Sequence, residues 1–472
     1  MHERDVADNG AILASMKASA WVAYFLRRTA PGPRDGVLGS LMDVAQGRLY
    51  ELLHHMWRAH GDTSCARVGA KLVYLVVHPE QVQHVLVTRR DNYTKALHRA
   101  RPLIGDGLPA SNGELWARQR RLLAPRFQVG SLPQFSAPLG GAMTRMLSRW
   151  DDIAASGAPL ELGEEMTALT LDAILGALVG EHSGEGERLR AAIRDGVDFV
   201  AASGQLFRVP LSWPTSRNQR FLAALKTIDE WVDRAIDAYE RGAPDDSKLL
   251  GYLLNGIEAN DPAARRRLVR DEAVSLLLGG HESTAQALTW LLYLLDTHRE
   301  VRERVLAEVD AYGDALPGVA DRGRFPLLAA AVQEALRLYP PFWAFPRHAA
   351  ADDELGGYFV PAGATVMLCP YLTHRHPDLW EAPERFQPER FLGGTTQGSR
   401  PRASYLPFGF GPRTCIGNHM ATAEIVLASA AILRRFEVER VAHATVIPEF
   451  TTTLRPRGDI QIKLRPRRGV AH

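Results

Sequence analysis

A cysteine placed among closely spaced glycines is the feature that most constrains this chain. The segment FGFGPRTCIG sets Cys415 behind Arg413 and just ahead of an apolar pattern that predicts a helix starting near Gly417. Gly409 and Gly411 permit backbone turns that other residues resist, and such turns let N–H groups point at the sulfur. The positive end of the following helix favours a thiolate. A buried structural cysteine does not need these surroundings, whereas a metal-bound thiolate does.

The composition narrows the class of protein. The 472 residues are 46% hydrophobic and 23% charged, which is typical of a globular protein with a sizeable core. Lys and Arg number 56 against 54 Asp and Glu, and this balance argues against a nucleic-acid-binding protein. Cys65, Cys369 and Cys415 are the only cysteines, so they indicate no disulfide framework and favour a reducing cytoplasm.

Helical periodicity dominates the chain, so we expect a mainly α fold with a smaller β region. No GxGxxG after a strand and no GxxxxGK[ST] occurs, and the chain therefore carries no visible flavin or nicotinamide module. The clearest helical patterns cover 48–60, 169–180, 220–240 and 419–436. The strand-like segments are 72–77, 358–368, 451–456 and 459–466.

The N-terminal residues 1–30 are expected to form a helical leader ahead of one large domain, residues 31–472. Lys17 interrupts the apolar stretch, which falls short of the roughly 20 residues that a membrane span requires. No convincing signal-peptide layout is present. An amphipathic surface helix is the prediction, and peripheral membrane contact is the alternative. The side chains that would make this contact are Trp21, Tyr24, Phe25 and Leu26.

The cysteine loop suits an iron porphyrin, whose metal can take a thiolate as axial ligand. Gly417 would let the helix start lie flat against a ring, and Arg413 offers a cation to an anionic propionate. The pattern FxxGxRxCxG, filled by Phe408, Gly411, Arg413, Cys415 and Gly417, resembles the haem-binding signature of the cytochrome P450 family, the haem-thiolate monooxygenases. The resemblance implies haem b with Cys415 as the metal ligand, and places Phe408 and Gly409 at the cofactor.

The segment QEALRLYPP carries the resemblance further. It contains Glu334 and Arg337 in the family's ExxR spacing before the cysteine, and a tandem APERFQPERF follows. The resemblance implies a buried structural triad with Arg390, which fits better than Arg385. Such a network would lock the segment that carries the cysteine loop, because breaking a buried charged network costs several kcal/mol. An exposed helical ion pair is the alternative.

Two further segments resemble the family's propionate-binding positions. Trp116 and Arg120 match its WxxxR helix, and Arg347 follows YPPFWAF. The resemblance assigns the indole N–H and both guanidinium groups to the haem propionates as donors. Without the resemblance to this family, the sequence would predict that Trp116 is a core residue.

The segment LLLGGHEST resembles the oxygen-binding part of the family's central helix. Adjacent glycines at 279 and 280 lower the stability of a helix by about 1 kcal/mol each relative to alanine. Their presence therefore indicates a packing or functional requirement. The resemblance implies a local opening of the helix beside the haem that makes room for dioxygen, with Gly280 at the cofactor. Close helix packing is the alternative. The family usually has an acid and then threonine here, and this chain has Glu282 and Ser283.

The serine keeps a hydroxyl but lacks the methyl group that restricts a threonine rotamer. We hypothesise that Ser283 supports the hydrogen-bond chain that activates oxygen and that Glu282 relays protons. Thr284 is the remaining hydroxyl candidate, but it points about 100° around the helix and is a poor substitute.

The resemblance as a whole implies a bacterial-type monooxygenase without a fused reductase, with haem between a long central helix and the cysteine-loop helix. Electrons from NAD(P)H would come through a separate ferredoxin or flavodoxin, which we expect to dock at Arg118, Arg121 and Arg126 unless these form only a solvated face. A monomer, a lipophilic substrate and no nucleic-acid partner are expected. The substrate class would be a fatty acid, terpene or steroid.

The expected substrate contacts are 96–108, 199–213, Leu277, Gly280, 342–345 and 451–453. Two other functions stay open at this point. One is a peroxygenase or redox-neutral isomerase or dehydratase on the same scaffold, against which Glu282 and Ser283 count. The other is a haem-binding sensor or carrier without turnover, which would not need a glycine-opened groove.

Overall fold

The computed structural model describes residues 29–33, 36–95, 97, 100–180, 186–201, 210–242, 247–393 and 400–467. Residues 1–28 of the expected leader therefore lie outside the described residues, as do parts of the expected substrate segments 96–108 and 199–213. The protein is 60% helical with a smaller sheet region, which confirms the predicted fold class. Within the described ranges, no helix is both long enough and apolar enough to cross a membrane.

The α-helices are numbered in chain order. They are α1 Gly36–Ala45, α2 Leu49–His60, α3 Pro79–Gln83, α4 Arg101–Ile104, α5 Gly113–Leu123, α6 Ser136–Ser156, α7 Leu162–Val179, α8 Gly186–Ala201, α9 Ser216–Arg241, α10 Leu249–Gly256, α11 Pro262–Thr297, α12 Arg299–Tyr312, α13 Pro326–Leu338, α14 Pro370–Thr373 and α15 Asn418–Arg435. Shorter helical turns are a π-turn at His84–Thr88 and 3₁₀ turns at Ala124–Phe127, Val129–Phe135, Val319–Arg324, Pro388–Phe391, Arg402–Ser404 and Gly411–Arg413.

The strands in the described part of the chain form one larger sheet and three small ones. They are β1 Thr63–Val68, β2 Lys71–Val76, β3 Tyr93–Thr94, β4 Leu160–Glu161, β5 Phe345–Ala349, β6 Asp353–Leu355, β7 Tyr358–Val360, β8 Thr365–Leu368, β9 Phe436–Arg440, β10 Pro448–Phe450, β11 Leu454–Pro456 and β12 Gln461–Pro466. The larger sheet has the order β1–β2–β8–β5–β3, in which only β2 and β8 are parallel. The small sheets are β4–β12–β9, β10–β11 and β6–β7.

The central helix α11 begins with strong local signals. The side chain of Asp261 accepts a hydrogen bond from the Ala264 N–H at 2.8 Å, and Pro262 occupies the first turn. The helix then runs through the core, where it packs against α7, α9, α13 and α15. It is continuous through Gly279 and Gly280. The expected opening of the helix backbone at these glycines is therefore wrong, and any open space must come from the missing side chains.

Helix α15 begins directly after the cysteine loop, with Gly417 as its N-cap, as the sequence predicted. Its middle is almost entirely buried, and it packs against α11 and α13. The cysteine loop is thus attached to the same helical core that holds the central helix. The predicted strand at 358–368 is split into β7 and β8, because Gly363 turns the chain between them with a φ of 82°.

Candidate active site

The cysteine loop, residues 406–417, has the turn geometry that its glycines suggested. Gly409 and Gly411 have φ angles of 72° and 74°. The backbone N–H of Cys415 donates to the Phe408 carbonyl at 2.8 Å, which closes the loop on itself. A Cβ on Gly411 would lie 2.8 Å from the carbonyl oxygen of Leu86 in the π-turn. Glycine is therefore required there both for the backbone angle and for close contact.

The side chain of Cys415 is exposed, whereas the other two cysteines are buried. The backbone N–H of Gly417 points at the sulfur and, with the charges of Arg120 and Lys95, favours the thiolate. Desolvation is nevertheless the largest effect, because protein surrounds the sulfur on its remaining sides, and the pKa of the Cys415 thiol is raised. The helix start alone does not hold a thiolate, and a metal ligand would supply the missing charge.

Four cationic side chains converge near this sulfur: those of Lys95, Arg120, Arg347 and Arg413. Burial and the charges of Arg347 and Arg413 lower the pKa of Lys95 to about 7. Burial and the charge of Arg413 lower the pKa of Arg347 to about 10. Within the described ranges, no carboxylate forms an ion pair with any of the four. A cluster of this kind calls for an anionic ligand, because buried charges are normally paired.

Helix α5 fastens this cluster to the cysteine loop. Arg120 donates to the Thr414 carbonyl at 2.8 Å, and Arg413 donates to the Ser111 carbonyl at 2.9 Å and to Asn112 Oδ1 at 3.1 Å. The guanidinium of Arg413 also lies 4.3 Å from the centre of the Trp116 ring. Trp116 is partly buried against the helical core, so its packing and its position beside the cations go together.

The glycine pair of the central helix divides into two different environments. Gly279 is exposed and a Cβ there would meet nothing within 4 Å, while a Cβ on Gly280 would lie 2.7 Å from Ile174 of α7. Close packing therefore explains Gly280, and the open face belongs to Gly279. The position of Gly280 at the cofactor stays a prediction. Leu277 is also fully buried, so the structure does not support it as a substrate contact.

The side chains of Glu282, Ser283 and Thr284 point in different directions. Ser283 Oγ donates to the Gly279 carbonyl at 3.2 Å, which sets the hydroxyl on the same face as the open glycine. Thr284 is only 2% exposed and faces the core. Glu282 accepts a hydrogen bond from Thr453 Oγ1 at 2.7 Å. Burial raises the pKa of Glu282, against the opposing effect of that hydrogen bond.

Comparison with protein families matches residues 30–464 to the family described as Cytochrome P450. This chain belongs to the cytochrome P450 family. Monooxygenase and oxidoreductase activity, haem-thiolate chemistry and the use of dioxygen come with that membership.

Relatives and solved structures agree with the assignment. The chain is 33% identical to cyclooctatin synthase of Streptomyces melanosporofaciens over 87% of its own length and 89% of that protein. It is 32% identical to cyclooctat-9-en-7-ol 5-monooxygenase of the same organism, over 82% and 85% of the two chains. The crystal structure of the cytochrome P450DA heme domain superposes with a TM-score of 0.82 at 24% identity, covering 93% of this chain and 98% of that one, which supports the fold.

The residues of this P450 fit a haem. An exposed cysteine thiol, glycines that keep side chains away from it and four cations that form no ion pair with any described carboxylate match an iron porphyrin with two propionates. Lys95 belongs to this group, and sequence reasoning missed it. In the sequence it is one of several basic residues ahead of the WxxxR helix, with Arg90, Arg99 and Arg101 close by, and nothing in the pattern distinguishes it from a surface lysine.

Glu334, Arg337 and Arg390 meet in one buried network of this P450. Arg337 donates to both carboxylate oxygens of Glu334 at 2.7 and 2.8 Å, and Arg390 donates to one of them at 3.2 Å. Arg385 contributes only its backbone carbonyl, which accepts from Arg337. Sequence reasoning missed His374, whose ring joins this network to the cysteine loop. No spacing in the sequence indicated that connection.

Proposed function

We propose that this P450 inserts one oxygen atom of dioxygen into a lipophilic small molecule, with cyclic compounds of the terpene class as the first candidates. The observation that carries the proposal is the Ser283 hydroxyl on the open Gly279 face, next to the acid Glu282. A haem-binding carrier would have no use for this pair. The names of the two relatives, cyclooctatin synthase and cyclooctat-9-en-7-ol 5-monooxygenase, support cyclic substrates.

We further propose that Cys415 binds the iron and that the surrounding cations bind the propionates. The residues assigned to the propionates are Lys95, Trp116, Arg120, Arg347 and Arg413. Phe408, Gly409 and Gly417 would shape the surface under the ring. When bound, the haem supplies the thiolate-ligated iron that reduces dioxygen and oxidises the substrate.

The roles of the helix residues follow from their positions. Ser283 donates a hydrogen bond on the open face, and Glu282 would relay protons, since burial raises the pKa of its carboxyl while the Thr453 hydroxyl opposes that rise. Glu334, Arg337 and Arg390 keep the segment before the cysteine loop rigid. Thr284 has no role at the reacting atoms, since it faces the core.

We propose that electrons from NAD(P)H arrive through a separate ferredoxin or flavodoxin. Arg118 and Arg121 on α5 are exposed and are available to an acidic partner. Arg126 is less suited to this role, because it donates to Gln134 and its guanidinium lies 4.3 Å from the Tyr252 ring centre. The docking proposal therefore rests on the first two arginines.

The test uses the purified holoprotein with a [2Fe–2S] ferredoxin, its reductase and NADPH. Cyclooctat-9-en-7-ol, lauric acid and testosterone serve as probes, read first by the spin-state shift of the haem and then by product mass. We expect the cyclic terpenoid to shift the spin state most, and to yield a product that carries one atom of ¹⁸O from labelled dioxygen. Turnover with hydrogen peroxide but none with ferredoxin and NADPH would overturn the proposal in favour of a peroxygenase.

A further inference from the structure

The partner of the acid Glu282 lies outside the central helix. Thr453, in the segment between β10 and β11, donates its hydroxyl to Glu282 Oε1 at 2.7 Å and is only 1% exposed. Among the described residues, no hydrogen bond joins Glu282 to Ser283, whose hydroxyl is directed to Gly279 instead. The acid and the alcohol are thus neighbours in sequence but are held apart in this structure.

The position of Thr453 is fixed by several independent contacts. Its carbonyl accepts hydrogen bonds from the Thr451 N–H at 3.2 Å and hydroxyl at 2.8 Å. The next residue, Leu454, donates its N–H to the Pro341 carbonyl at 2.8 Å and accepts from the Trp290 indole at 3.0 Å. Trp290 belongs to α11. The hairpin formed by β10 and β11 is therefore bound to the same helix that carries Glu282. The Thr453 hydroxyl is therefore a preorganised donor and not a mobile one.

Charged side chains near the β10–β11 hairpin act on this acid through their charges. Arg455 follows on β11, with its side chain 45% exposed, and donates to Glu449 at 2.7 Å. It also lies 4.0 Å from Asp198 of α8. The Arg455 charge favours the ionised form of Glu282 and the Asp198 charge opposes it. Glu282 is thus an acid that is hydrogen-bonded to Thr453 and influenced by the charges of a nearby, partly exposed group of ion pairs.

We propose that Thr453 is a positioning residue for proton delivery: its hydroxyl fixes the Glu282 carboxyl on the hairpin side, where the carboxyl takes up protons from solvent near Arg455 before it turns toward Ser283. The inference rests on the proposed monooxygenase function. Each turnover takes up two electrons and two protons for one dioxygen, so one oxygen atom enters the product and the other leaves as water. If the Glu282 carboxyl regained its proton slowly, it would limit this uptake of protons.

The experiment compares Thr453→Val, which removes the donor, with Thr453→Ser, which keeps it. Thr144→Val on α6 is the control, because it makes the same change at an exposed threonine whose hydroxyl donates to the Gly140 carbonyl of its own helix. In the NADPH-driven reaction of the holoprotein with cyclooctat-9-en-7-ol, we expect Thr453→Val to lower the rate of product formation about ten-fold, the equivalent of one hydrogen bond to a charged group. Thr453→Ser and Thr144→Val should stay near the wild type.

Hydrogen peroxide separates positioning from structure, because peroxide brings its own protons and bypasses their delivery. We expect the peroxide-driven rate of Thr453→Val to equal that of the wild type. An equal loss in both reactions would show a merely structural role and overturn the proposal, as would no loss in either.

A second readout does not depend on activity. The protonation of Glu282 in the resting protein can be followed by the infrared carboxyl band that is absent from Glu282→Gln. We expect Thr453→Val to raise the pKa of Glu282 relative to wild type and Thr453→Ser, because the lost hydrogen bond favoured the carboxylate. An unchanged titration would overturn the proposal. If no probe were oxidised but the pKa of Glu282 changed in Thr453→Val, the proposed function would be wrong, while the hydrogen bond between Thr453 and Glu282 would be confirmed.

Discussion

The backbone N–H of Leu406 donates a hydrogen bond to Nε2 of His374 at 2.9 Å, and this contact ties the cysteine loop to the buried charge network. The other ring nitrogen, Nδ1, lies 3.0 Å from the carbonyl of Arg337. Since Nε2 accepts, Nδ1 must carry the proton and donate. Burial and the Arg337 charge lower the pKa of His374 to about 3, so the ring is neutral, as this arrangement requires.

Replacing His374 is therefore expected to loosen the cysteine loop. His374→Phe keeps a ring of similar size but leaves the Leu406 N–H and the Arg337 carbonyl unpaired, at a cost of about 1–3 kcal/mol for each buried group. His419→Phe is the matched control, since His419 is exposed at the start of α15. Urea unfolding of the holoproteins measures the effect. Equal stability of His374→Phe and the control would contradict this reading.

Lys95 is expected to contribute to haem retention. Lys95→Met removes one of the four cations near Cys415 and with it a charge-assisted hydrogen bond worth about 1.5–3 kcal/mol. Haem transfer to apomyoglobin should accelerate by about ten-fold or more. Lys71→Met, at an exposed position of β2, should transfer haem at the wild-type rate. If both variants behaved alike, Lys95 would have no contact with a propionate.

The sequence was sufficient to predict those features that depend on residues close together in the chain. The glycine angles of the cysteine loop, the start of α15 and the continuous helical patterns follow from neighbouring residues. It could not reach contacts that depend on tertiary packing. The Glu282–Thr453 bond joins residues 171 positions apart, and the His374–Leu406 bond joins residues 32 apart. The glycine pair shows the same limit, because only the position of Ile174 reveals which glycine packs and which stays open.

Ser283 is expected to control how efficiently electrons are used. Ser283→Ala removes the hydroxyl on the open Gly279 face, so the product formed per NADPH should fall by about ten-fold or more while hydrogen peroxide release rises. Ser283→Thr keeps a hydroxyl and restricts its rotamer, so the product formed per NADPH should equal or exceed that of the wild type. Product, NADPH and peroxide are quantified in one reaction. Unchanged coupling in the alanine variant would remove Ser283 from the proton path.

The arginines of α5 are expected to govern reduction by the redox partner. Reversing Arg118 and Arg121 to glutamate places like charges against an acidic ferredoxin, so the reduction rate at low salt should fall about ten-fold and lose its salt dependence. Stopped-flow formation of the reduced carbonyl complex measures this rate. The matched control is Arg299→Glu with Arg304→Glu on α12. An equal loss in the control would point to net charge and away from docking.

Glu424 on α15 gives this P450 a stability that depends on pH. Its side chain is 2% exposed among apolar neighbours, Oε1 has no hydrogen-bond partner among the residues that the structure describes, and burial raises its pKa from 4.5 to about 8. The folded state therefore keeps a proton that the unfolded chain releases near pH 4.5, so the free energy of unfolding falls as pH rises from there to about 8.

In that window the free energy of unfolding of the wild type should fall by about 1.4 kcal/mol for each pH unit because of Glu424. Glu424→Gln removes this titration and therefore this fall. We expect the variant to match the wild type near pH 4.5 and to be more stable above pH 8, with exposed Glu437→Gln as the control. Urea unfolding across this range is the measurement. Parallel pH curves for wild type and Glu424→Gln would contradict the prediction, because they would mean that the Glu424 carboxyl ionises in the folded protein at its ordinary pKa.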